Sequence, residues 1–456
     1  MVVLRERSSD VTRWIAAVIV VLAVCATGAA AGEWIALEEI VPGGAEATAL
    51  VVSSDRQATV IDVAVPGIYV SEGAGSLPGA VDLEILGATK SQVPGAPNVP
   101  VLSYVVAIPD RGGVELEVIS QSERVLEGYR VSPAAPFEVQ GDPPLEATAD
   151  PAVYLRDALY PAEVVVLGEP MIMRDLRLVQ VRVHPVRVNP VTGRLVVTES
   201  IALRLNYTAD EGVNEKRIAR PFRSEAFEPL YRSFVLNYDQ LPTAPIVRGT
   251  YLVVVQDAYE AAVAEFVQWK QERGVEVVLT RLSDIGASPS ADDIKAHIQT
   301  AYDTWDSPPD YVMLVGDTWT GGPAFPTFHV SAGGPLEPTD HPYVELEGSD
   351  YFPDAMVGRM AVDNATEAIV AGLKVLSYER DCDAVNDDWY EKALMVAGNT
   401  GGAHVTSPRQ TTLRVREMLF RANYTQVDTV FYPPVTSPVP IANAINAGVS
   451  LSLIHI

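Results

Sequence analysis

Cysteine is almost absent from this chain. Its 456 residues include 2 cysteines, Cys25 and Cys382. Cys25 lies in an N-terminal apolar run whose removal would leave Cys382 alone, so no disulfide could form within the remaining chain. Cys382 follows an acidic stretch at the predicted end of a helix, and nearby carboxylates disfavour a reactive thiolate. We therefore interpret Cys382 as a structural residue rather than a nucleophile.

Positive charge is also scarce. Lys and Arg number 33 against 59 Asp and Glu, which gives a net charge of −26. Such a surface repels a phosphate backbone and argues against nucleic acid as a partner. The many carboxylates could serve as calcium ligands. With 48% hydrophobic and 20% charged residues, the chain can bury large cores, and its length predicts two or three domains at roughly 100–200 residues each.

The N-terminus has the three parts of a secretory signal peptide. Three arginines up to Arg13 precede an apolar run at residues 14–25, and alanines at 29–31 offer a small-residue cleavage site. The run is shorter than the roughly 20 residues that a membrane span needs. Residues 1–31 are therefore predicted to be removed from a secreted or cell-surface protein with no stable membrane span. The alternatives are a membrane anchor and a lipoprotein site at Cys25, where Val24 is too bulky.

The first half of the chain has the pattern of short strands. Residues 102–108 and 114–119 flank a Gly/Pro-rich turn, and residues 176–183 and 195–205 flank a second one. Apolar and polar residues alternate in these runs, which predicts antiparallel strands of a β-sandwich. No cluster of acid, base and nucleophile occurs here. We interpret this half as a binding, shielding or chaperoning module.

Residues 209–248 interrupt the strand pattern with several arginines and end at Arg248. We expect an exposed, protease-accessible connector here. From Tyr251 onward strands and helices alternate, which predicts a parallel sheet with helices on both faces. Ligands of such sheets bind beyond the carboxyl ends of the strands. The residues expected at these ends are Gln256, Asp317, Asp354 and Asn399.

Several acids and histidines in the second half could carry chemistry. Asp317, Asp350 and Asp354 flank strands, where an acid could orient a histidine or hold a cation, although Asp also caps turns routinely. Asp340 precedes His341, but adjacent residues of a strand point apart. The loop residue His404 is a weaker candidate. There is no phosphate-binding glycine loop and no zinc motif, so composition and spacing alone leave the function open.

Several motifs in both halves resemble the gingipain-type cysteine peptidases, peptidase family C25. The matching segments are GAPNVPVL at 95–102, VAIP at 106–109, YPAEV at 160–164, PVRVNPVTG at 185–193, YLVV at 251–254, YVMLVGD at 311–317, SDYFPDAMVGRM at 349–360 and YE at 378–379. The resemblance covers nearly everything after the signal peptide. It implies a propeptide followed by a peptidase domain with a caspase-like fold.

The resemblance implies a secreted endopeptidase that acts on protein or peptide substrates. A cysteine thiolate attacks the scissile carbonyl while a histidine serves as base, so no cofactor is required, although structural calcium accompanies the family. By position, Asp354 best matches an acid that assists the histidine, and Asp350 is second. The family's propeptide packs on the α/β domain and is cut at basic residues, which makes Arg248 the candidate activation site.

The resemblance breaks at the C-terminus. The family's catalytic histidine lies in a Gly-His-Gly turn and its cysteine follows one strand later, but here residues 441–450 lead into LSLIHI at 451–456. His455 lacks flanking glycines. We interpret LSLIHI as sequence from a transposon-end adapter used in library preparation, the alternative being a genuine C-terminal strand. Both the nucleophile and the base are then absent from this chain.

Together these features predict an α+β multi-domain protein: a β-sandwich propeptide-like domain, then a caspase-like doubly wound α/β domain that is incomplete at its C-terminus. The predicted segments are 1–31 signal peptide, 32–208 propeptide-like domain, 209–248 activation linker, 249–450 peptidase part and 451–456 adapter sequence. The main hypothesis is an inactive fragment of a cysteine peptidase precursor. The alternatives are a non-catalytic binding or surface protein and a metal-dependent hydrolase that uses the acids.

Overall fold

A computed structural model describes residues 32–37, 45–73, 77–91, 93–135, 147–318, 324–330, 337–381, 388–398, 408–432 and 434–455. The predicted signal peptide, both cysteines, Asn399 and His404 lie outside the described residues. Among the residues that are described, no helix has the length and apolar character needed to cross a membrane.

In the described residues, the first half consists of strands and one short helix. Its elements are β1 (Glu33–Ala36), β2 (Thr48–Ser54), β3 (Ala58–Ala64), β4 (Gly67–Glu72), β5 (Val81–Glu84), β6 (Thr89–Lys90), β7 (Pro100–Ile108), β8 (Val114–Leu126), α1 (Pro151–Tyr154), β9 (Val165–Leu167), β10 (Met171–Met173), β11 (Leu176–Val183), β12 (Val186–Asn189) and β13 (Arg194–Tyr207).

Two antiparallel five-stranded sheets enclose the core of this half. One has the order β12-β13-β3-β2 with β8 along β13, and the other has the order β10-β11-β7-β6 with β9 along β11. A smaller sheet, β1-β4-β5, lies beside them. Val63, Val106, Val181 and Leu203, one from each of four strands, belong to a single buried cluster. The inward side of each alternating strand therefore faces the opposite sheet, as the sequence predicts for a sandwich.

The segment 209–248 is only in part the exposed connector that the sequence predicted. It forms β14 (Arg223–Ser224), α2 (Glu228–Phe234) and β15 (Ile246–Val247). Phe227, Tyr231 and Tyr238 are buried and pack against the β10-β11 side of the sandwich. The buried part was missed because the prediction weighed the arginines and overlooked the aromatic residues between them, which bury a large apolar area.

The second half alternates strands and helices. Its elements are β16 (Thr250–Val255), α3 (Ala264–Glu272), β17 (Val277–Arg281), α4 (Leu282–Ile285), α5 (Ala291–Thr304), β18 (Pro309–Val315), β19 (Phe328–Val330), β20 (Glu337–Thr339), β21 (Met356–Met360), α6 (Ala365–Glu379), β22 (Lys392–Ala397), α7 (Pro408–Arg421), β23 (Gln426–Phe431), α8 (Val439–Asn446) and β24 (Leu451–His455).

The parallel strands of this half form two sheets rather than one, and β19 pairs with β20 as a separate antiparallel ribbon. The order β17-β16-β18-β21 is covered by α5 on one face and by α3 and α6 on the other, and β23-β22-β24 forms a separate sheet. Strand-helix alternation fixes the parallel direction, but it does not say which strands share a sheet. Residues of the LSLIHI segment form β24, which pairs with β22.

Helix α5 shows how local sequence positions the main sheet. Ser290 caps it by accepting from the Asp293 amide, and the Asp293 carboxylate accepts from Ser290 in return. This is the capping box that the sequence predicts. Ile294, Ile298 and Tyr302 are fully buried one, two and three turns on, which holds α5 against β16 and β18.

Candidate functional site

Gln256 and Asp317 lie together at the carboxyl edge of the main sheet, as predicted. They follow the adjacent strands β16 and β18 directly. The Asp317 carboxylate accepts from the Thr318 amide at 2.6 Å, and the Asp317 amide donates to the Val362 carbonyl at 3.1 Å. Within the described residues Asp317 therefore organises its own turn.

Asp340 and His341 have separate partners, although they begin the 3-10 turn His341–Val344 and do not lie on the strand that the spacing argument assumed. Arg359 binds both carboxylate oxygens of Asp340, from Nε at 2.8 Å and from Nη2 at 2.5 Å. His341 instead stacks on Tyr351 at 4.2 Å between ring centroids, and its Nε2 lies 3.3 Å from a carboxylate oxygen of Glu345. The two residues do not form an acid-base pair.

Asp354 lies at the opposite edge of the sheet from the one expected. It precedes β21, whose first residue Met356 pairs with Tyr311 near the start of β18. We call this side, where the parallel strands begin, the amino edge. The expectation that Asp354 marks a carboxyl end was wrong because the residue comes before its strand and not after it.

The Asp354 carboxylate is fully buried and accepts three backbone N–H groups. Its Oδ1 accepts from Arg174 at 2.8 Å, while Oδ2 accepts from Leu346 at 2.8 Å and Glu347 at 2.7 Å. Burial raises the pKa of Asp354 to about 6, although these N–H groups oppose the shift. Its proposed use as an acid that assists a catalytic histidine stays a prediction.

Asp350, the second candidate acid, also contacts the first half of the chain. Its Oδ2 accepts from the Ile172 amide at 2.8 Å, and its Oδ1 accepts from Phe352 at 2.9 Å. Ile172 lies in β10, so both candidate acids hold the β10-β11 hairpin. This shared contact indicates a docking role.

Arg174, in the turn of that hairpin, is the residue that the sequence analysis missed. Its backbone φ is +48° and its side chain is 1% exposed. The guanidinium lies 2.6 Å from Asp310 Oδ1 and donates to the carbonyls of Pro309 at 2.6 Å and Asp354 at 2.8 Å. The signal in the sequence was weak, since Arg174 and Asp175 form a charged pair between two apolar strands, and such a pair is also typical of an exposed turn.

A second buried cation reinforces this contact. Lys216 lies 3.2 Å from Glu347 Oε2 and also donates to the Arg174 carbonyl. Glu347 Oε1 accepts from the amides of Arg217 at 2.7 Å and Ile218 at 3.1 Å. We call the six charged residues at this junction the anchor network; they are Arg174, Asp175, Lys216, Asp310, Glu347 and Asp354.

The anchor network joins three stretches of the chain that were predicted as separate segments. Arg174 and Asp175 come from the sandwich, Lys216 from the connector and the remaining acids from the peptidase part. A buried ion pair adds little net stability compared with apolar packing, but loss of one partner leaves an uncompensated charge. The network therefore makes correct docking of the first half specific.

The side chain of Arg248, the candidate activation site, is exposed, but the residue that follows it in the chain is buried. Its Nε and Nη2 each donate to the Glu225 carboxylate at 2.9 Å, and its side chain is 46% exposed. The next residue, Gly249, is buried, and its amide donates to Asp310 Oδ2 at 2.6 Å. The candidate cleavage bond thus borders the anchor network.

The described part of the chain offers no group of three or more His, Cys, Asp or Glu side chains placed to hold a metal ion. The carboxylates of the anchor network already form ion pairs or hydrogen bonds with arginine, lysine and backbone N–H groups. These residues do not fit a calcium site, and calcium stays a prediction for the remainder of the chain.

In a comparison with known protein families, two family models match this chain, one after the other. Residues 77–240 match the model described as Propeptide_C25, and residues 247–452 match Peptidase family C25. Gingipain R2 of Porphyromonas gingivalis (strain ATCC BAA-308 / W83) is 26% identical over 399 residues, which is 85% of this chain and 51% of that protein. Gingipain R1 of Porphyromonas gingivalis is 26% identical over 370 residues, 78% of this chain and 36% of that protein. The chain spans about half the length of these relatives or less.

Two solved structures also match parts of the chain. The crystal structure of the Arg-specific cysteine proteinase gingipain R has 26% identity over 45% of this chain and 46% of its own, with a TM-score of 0.41. A complex of Porphyromonas gingivalis RgpB pro- and mature domains has 22% identity over 42% of this chain and 97% of its own, with a TM-score of 0.39.

Proposed function

Because the chain belongs to peptidase family C25, we propose that it is the precursor part of a secreted cysteine endopeptidase with a caspase-like catalytic fold. In this proposal residues 1–31 are the signal peptide, residues 32–248 are the pro-domain and the peptidase part begins at Gly249. The order of the two family matches carries the proposal, since the change from one to the other falls between residues 240 and 247.

The docking of the pro-domain supports a precursor. The β10-β11 hairpin reaches the amino edge of the peptidase sheet, where Arg174 contacts Asp310 and Asp354 contacts the Arg174 amide. Because these groups are buried, neither half can adopt this arrangement alone without exposing charged groups that are now paired. These contacts lie at the amino edge of the sheet, whereas parallel sheets bind substrate at the carboxyl edge.

The chemistry proposed for the whole enzyme is acyl transfer to a thiolate. The cysteine attacks the scissile carbonyl, the histidine takes the thiol proton and returns it to the leaving amine, and water then releases the acyl group. The sequence contains no cysteine after Cys382, and its last histidine, His455, stands between two isoleucines. We propose that the 456-residue chain itself does not hydrolyse peptides.

The test is to express the gene with its native downstream sequence and to compare it with the 456-residue chain. Casein hydrolysis is measured before and after treatment with iodoacetamide, which alkylates thiolates. We expect hydrolysis only by the longer protein, and its loss on alkylation. Hydrolysis by the 456-residue chain, or activity of the longer protein that resists alkylation but needs an added metal, would overturn the proposal.

A further inference from the structure

We propose that cleavage between Arg248 and Gly249 creates an α-ammonium group that pairs with Asp310 and replaces Arg174 as its counter-ion when the pro-domain leaves. This inference rests on the proposed function, because it takes Arg248 as the activation site. It assigns to Asp310 the role of receiving the new N-terminus. The observation behind it is the 2.6 Å hydrogen bond from the Gly249 amide nitrogen to Asp310 Oδ2.

The reaction is an ordinary hydrolysis by an arginine-specific endopeptidase. Water adds across the peptide bond, the Arg248 carbonyl becomes a carboxylate and the Gly249 nitrogen becomes a primary amine that is protonated near neutral pH. A neutral N–H donor beside Asp310 thereby becomes a cation without moving. Charge-assisted hydrogen bonds of this kind are about twice as strong as neutral ones.

The nitrogen of Gly249 should stay in place after the cut because the peptidase side holds it. Thr250 begins β16 and is paired with Pro309, and its hydroxyl donates to the Ser307 carbonyl at 2.7 Å. A Cβ at position 249 would lie 2.4 Å from the Pro308 carbonyl oxygen and 2.6 Å from Asp310 Oδ1. Glycine is therefore needed for the nitrogen to approach the carboxylate so closely.

The other side of the bond is held weakly. Residues Ile246 and Val247 form β15, whose only sheet partner in the described chain is the two-residue strand β14. After hydrolysis the new Arg248 carboxylate is left close to Asp310 and to Glu225, the acid that pairs with the Arg248 side chain. Repulsion between these negative charges favours departure of the pro-domain end.

The exchange of partners matters because Asp310 is fully buried in the precursor. Its Oδ1 contacts Arg174 at 2.6 Å and accepts from the Ser224 hydroxyl at 2.7 Å, and both partners belong to the part removed on activation. A buried carboxylate without a counter-ion is strongly destabilising. The Gly249 ammonium supplies one from the peptidase itself, so the pro-domain can leave without that penalty.

The experiment places one specific cut in the full chain. Pro245→Ile, Ile246→Glu and Val247→Gly create a factor Xa site that ends at Arg248 and leaves Gly249 first. A matched control carries one extra glycine between Arg248 and Gly249, which moves the amine one residue away from Asp310. Acetylation of the α-amine by acetic anhydride is followed against pH by mass spectrometry of the Gly249 peptide.

A free α-amine loses its proton at about pH 8. We expect the midpoint of acetylation to lie at least one pH unit higher in the cut chain and to return to about 8 in the glycine-insertion control. Asp310→Asn in the cut chain should also lower the midpoint, because burial is kept while the charge is removed. Equal midpoints in the cut chain and the insertion control would overturn the inference, whether or not Asp310→Asn folds.

This result is independent of peptidase activity. If the acetylation midpoint shifts but the downstream gene encodes no catalytic cysteine, the ion pair stands and the proposed function fails. If the native enzyme is active but the midpoint is that of a free amine, the proposed function stands and the ion pair fails.

Discussion

Arg174 is a fully buried guanidinium whose partners come from another part of the chain. Its Nη2 lies 2.6 Å from Asp310, and its ring neighbours are Phe227 and Tyr302 at 5.4 and 5.8 Å from the guanidinium carbon. Arg174→Met keeps much of the apolar volume but leaves Asp310 without its cation. We expect the free energy of unfolding to fall by about 3–5 kcal/mol, measured by urea unfolding with circular dichroism.

Arg194→Met is the matched control, because Arg194 is half exposed and its nearest carboxylate, Glu127, is 3.9 Å away. We expect a change within about 0.5 kcal/mol for this surface pair. Equal effects of the two substitutions would contradict the role given to Arg174.

Asp354 lies at the contact between the two halves and makes the stability of the fold depend on pH, in a direction that follows from its pKa. Its pKa of about 6 in the folded protein lies above the usual value of 3.8, so folding favours the protonated carboxyl. Its contribution to stability is fully present below the pKa that the group has in the unfolded chain, and it is lost as pH rises through about 6. We expect this group to make the fold more stable at pH 4 than at pH 7, by on the order of 3 kcal/mol.

Urea unfolding of the wild type and of Asp354→Asn at both pH values isolates this contribution, since the variant cannot titrate there. Asp55 serves as a comparison, because its contribution to stability changes with pH in the opposite direction. Its pKa is lowered by N–H bonds from Gln57 and Ala58, so its contribution is lost as pH falls. A pH dependence of Asp354→Asn identical to that of the wild type would refute the assignment.

At the scale of elements, much of the fold follows from local pattern. The alternation in β11 and the capping box of α5 predict a sandwich strand and a helix start, and both occur. Connectivity across the molecule does not follow from such patterns. Asp354 and Arg174 are 180 residues apart in sequence yet share a hydrogen bond, and no local period encodes that contact.

The candidate site was predicted less well than the elements for the same reason. Asp350 and Asp354 were selected because they flank strands, but which edge they occupy depends on strand direction and on whether they precede or follow the strand. The connector was misread because buried aromatic residues such as Tyr231 reach their partners only when this segment folds back onto the β10-β11 side of the sandwich.

The β14-β15 pair controls access to Arg248. Glu225 holds the Arg248 side chain, and both belong to the exposed surface. We expect Glu225→Ala to speed trypsin cleavage after Arg248 several-fold without moving the urea midpoint, because exposed ion pairs contribute little stability. The fragment that begins at Gly249 is quantified by mass spectrometry.

Glu123→Ala, which removes the partner of Arg187 in the sandwich, is the control and should leave the rate of cleavage after Arg248 unchanged. A similar acceleration in both variants would mean that general loosening, not release of Arg248, is responsible.

At the scale of the whole molecule, two buried ion pairs join the pro-domain to the peptidase part, Arg174 with Asp310 and Lys216 with Glu347, beside one more exposed pair, Arg217 with Asp303 at 3.6 Å. At 1 M ionic strength the screening length is about 3 Å, so salt weakens exposed ion pairs. It weakens buried pairs much less, because they are excluded from water. After the factor Xa cut we expect the two fragments to elute together from gel filtration at 1 M NaCl. With Arg174→Met added, they should separate at the same protein concentration.

Elution of the two fragments apart at high salt, and together at low salt, would show that surface charge holds them. The buried network would then have no part in docking.

The claim that this chain is part of a C25 peptidase precursor is tested most directly on the gene. Genomic DNA is sequenced across the codons for Leu451 to Ile456 and beyond. We expect the native reading frame to depart from LSLIHI, to enter a Gly-His-Gly turn and to reach a cysteine one strand later. A native gene that encodes LSLIHI and then stops would contradict the peptidase proposal and favour a secreted binding protein built on the same two halves.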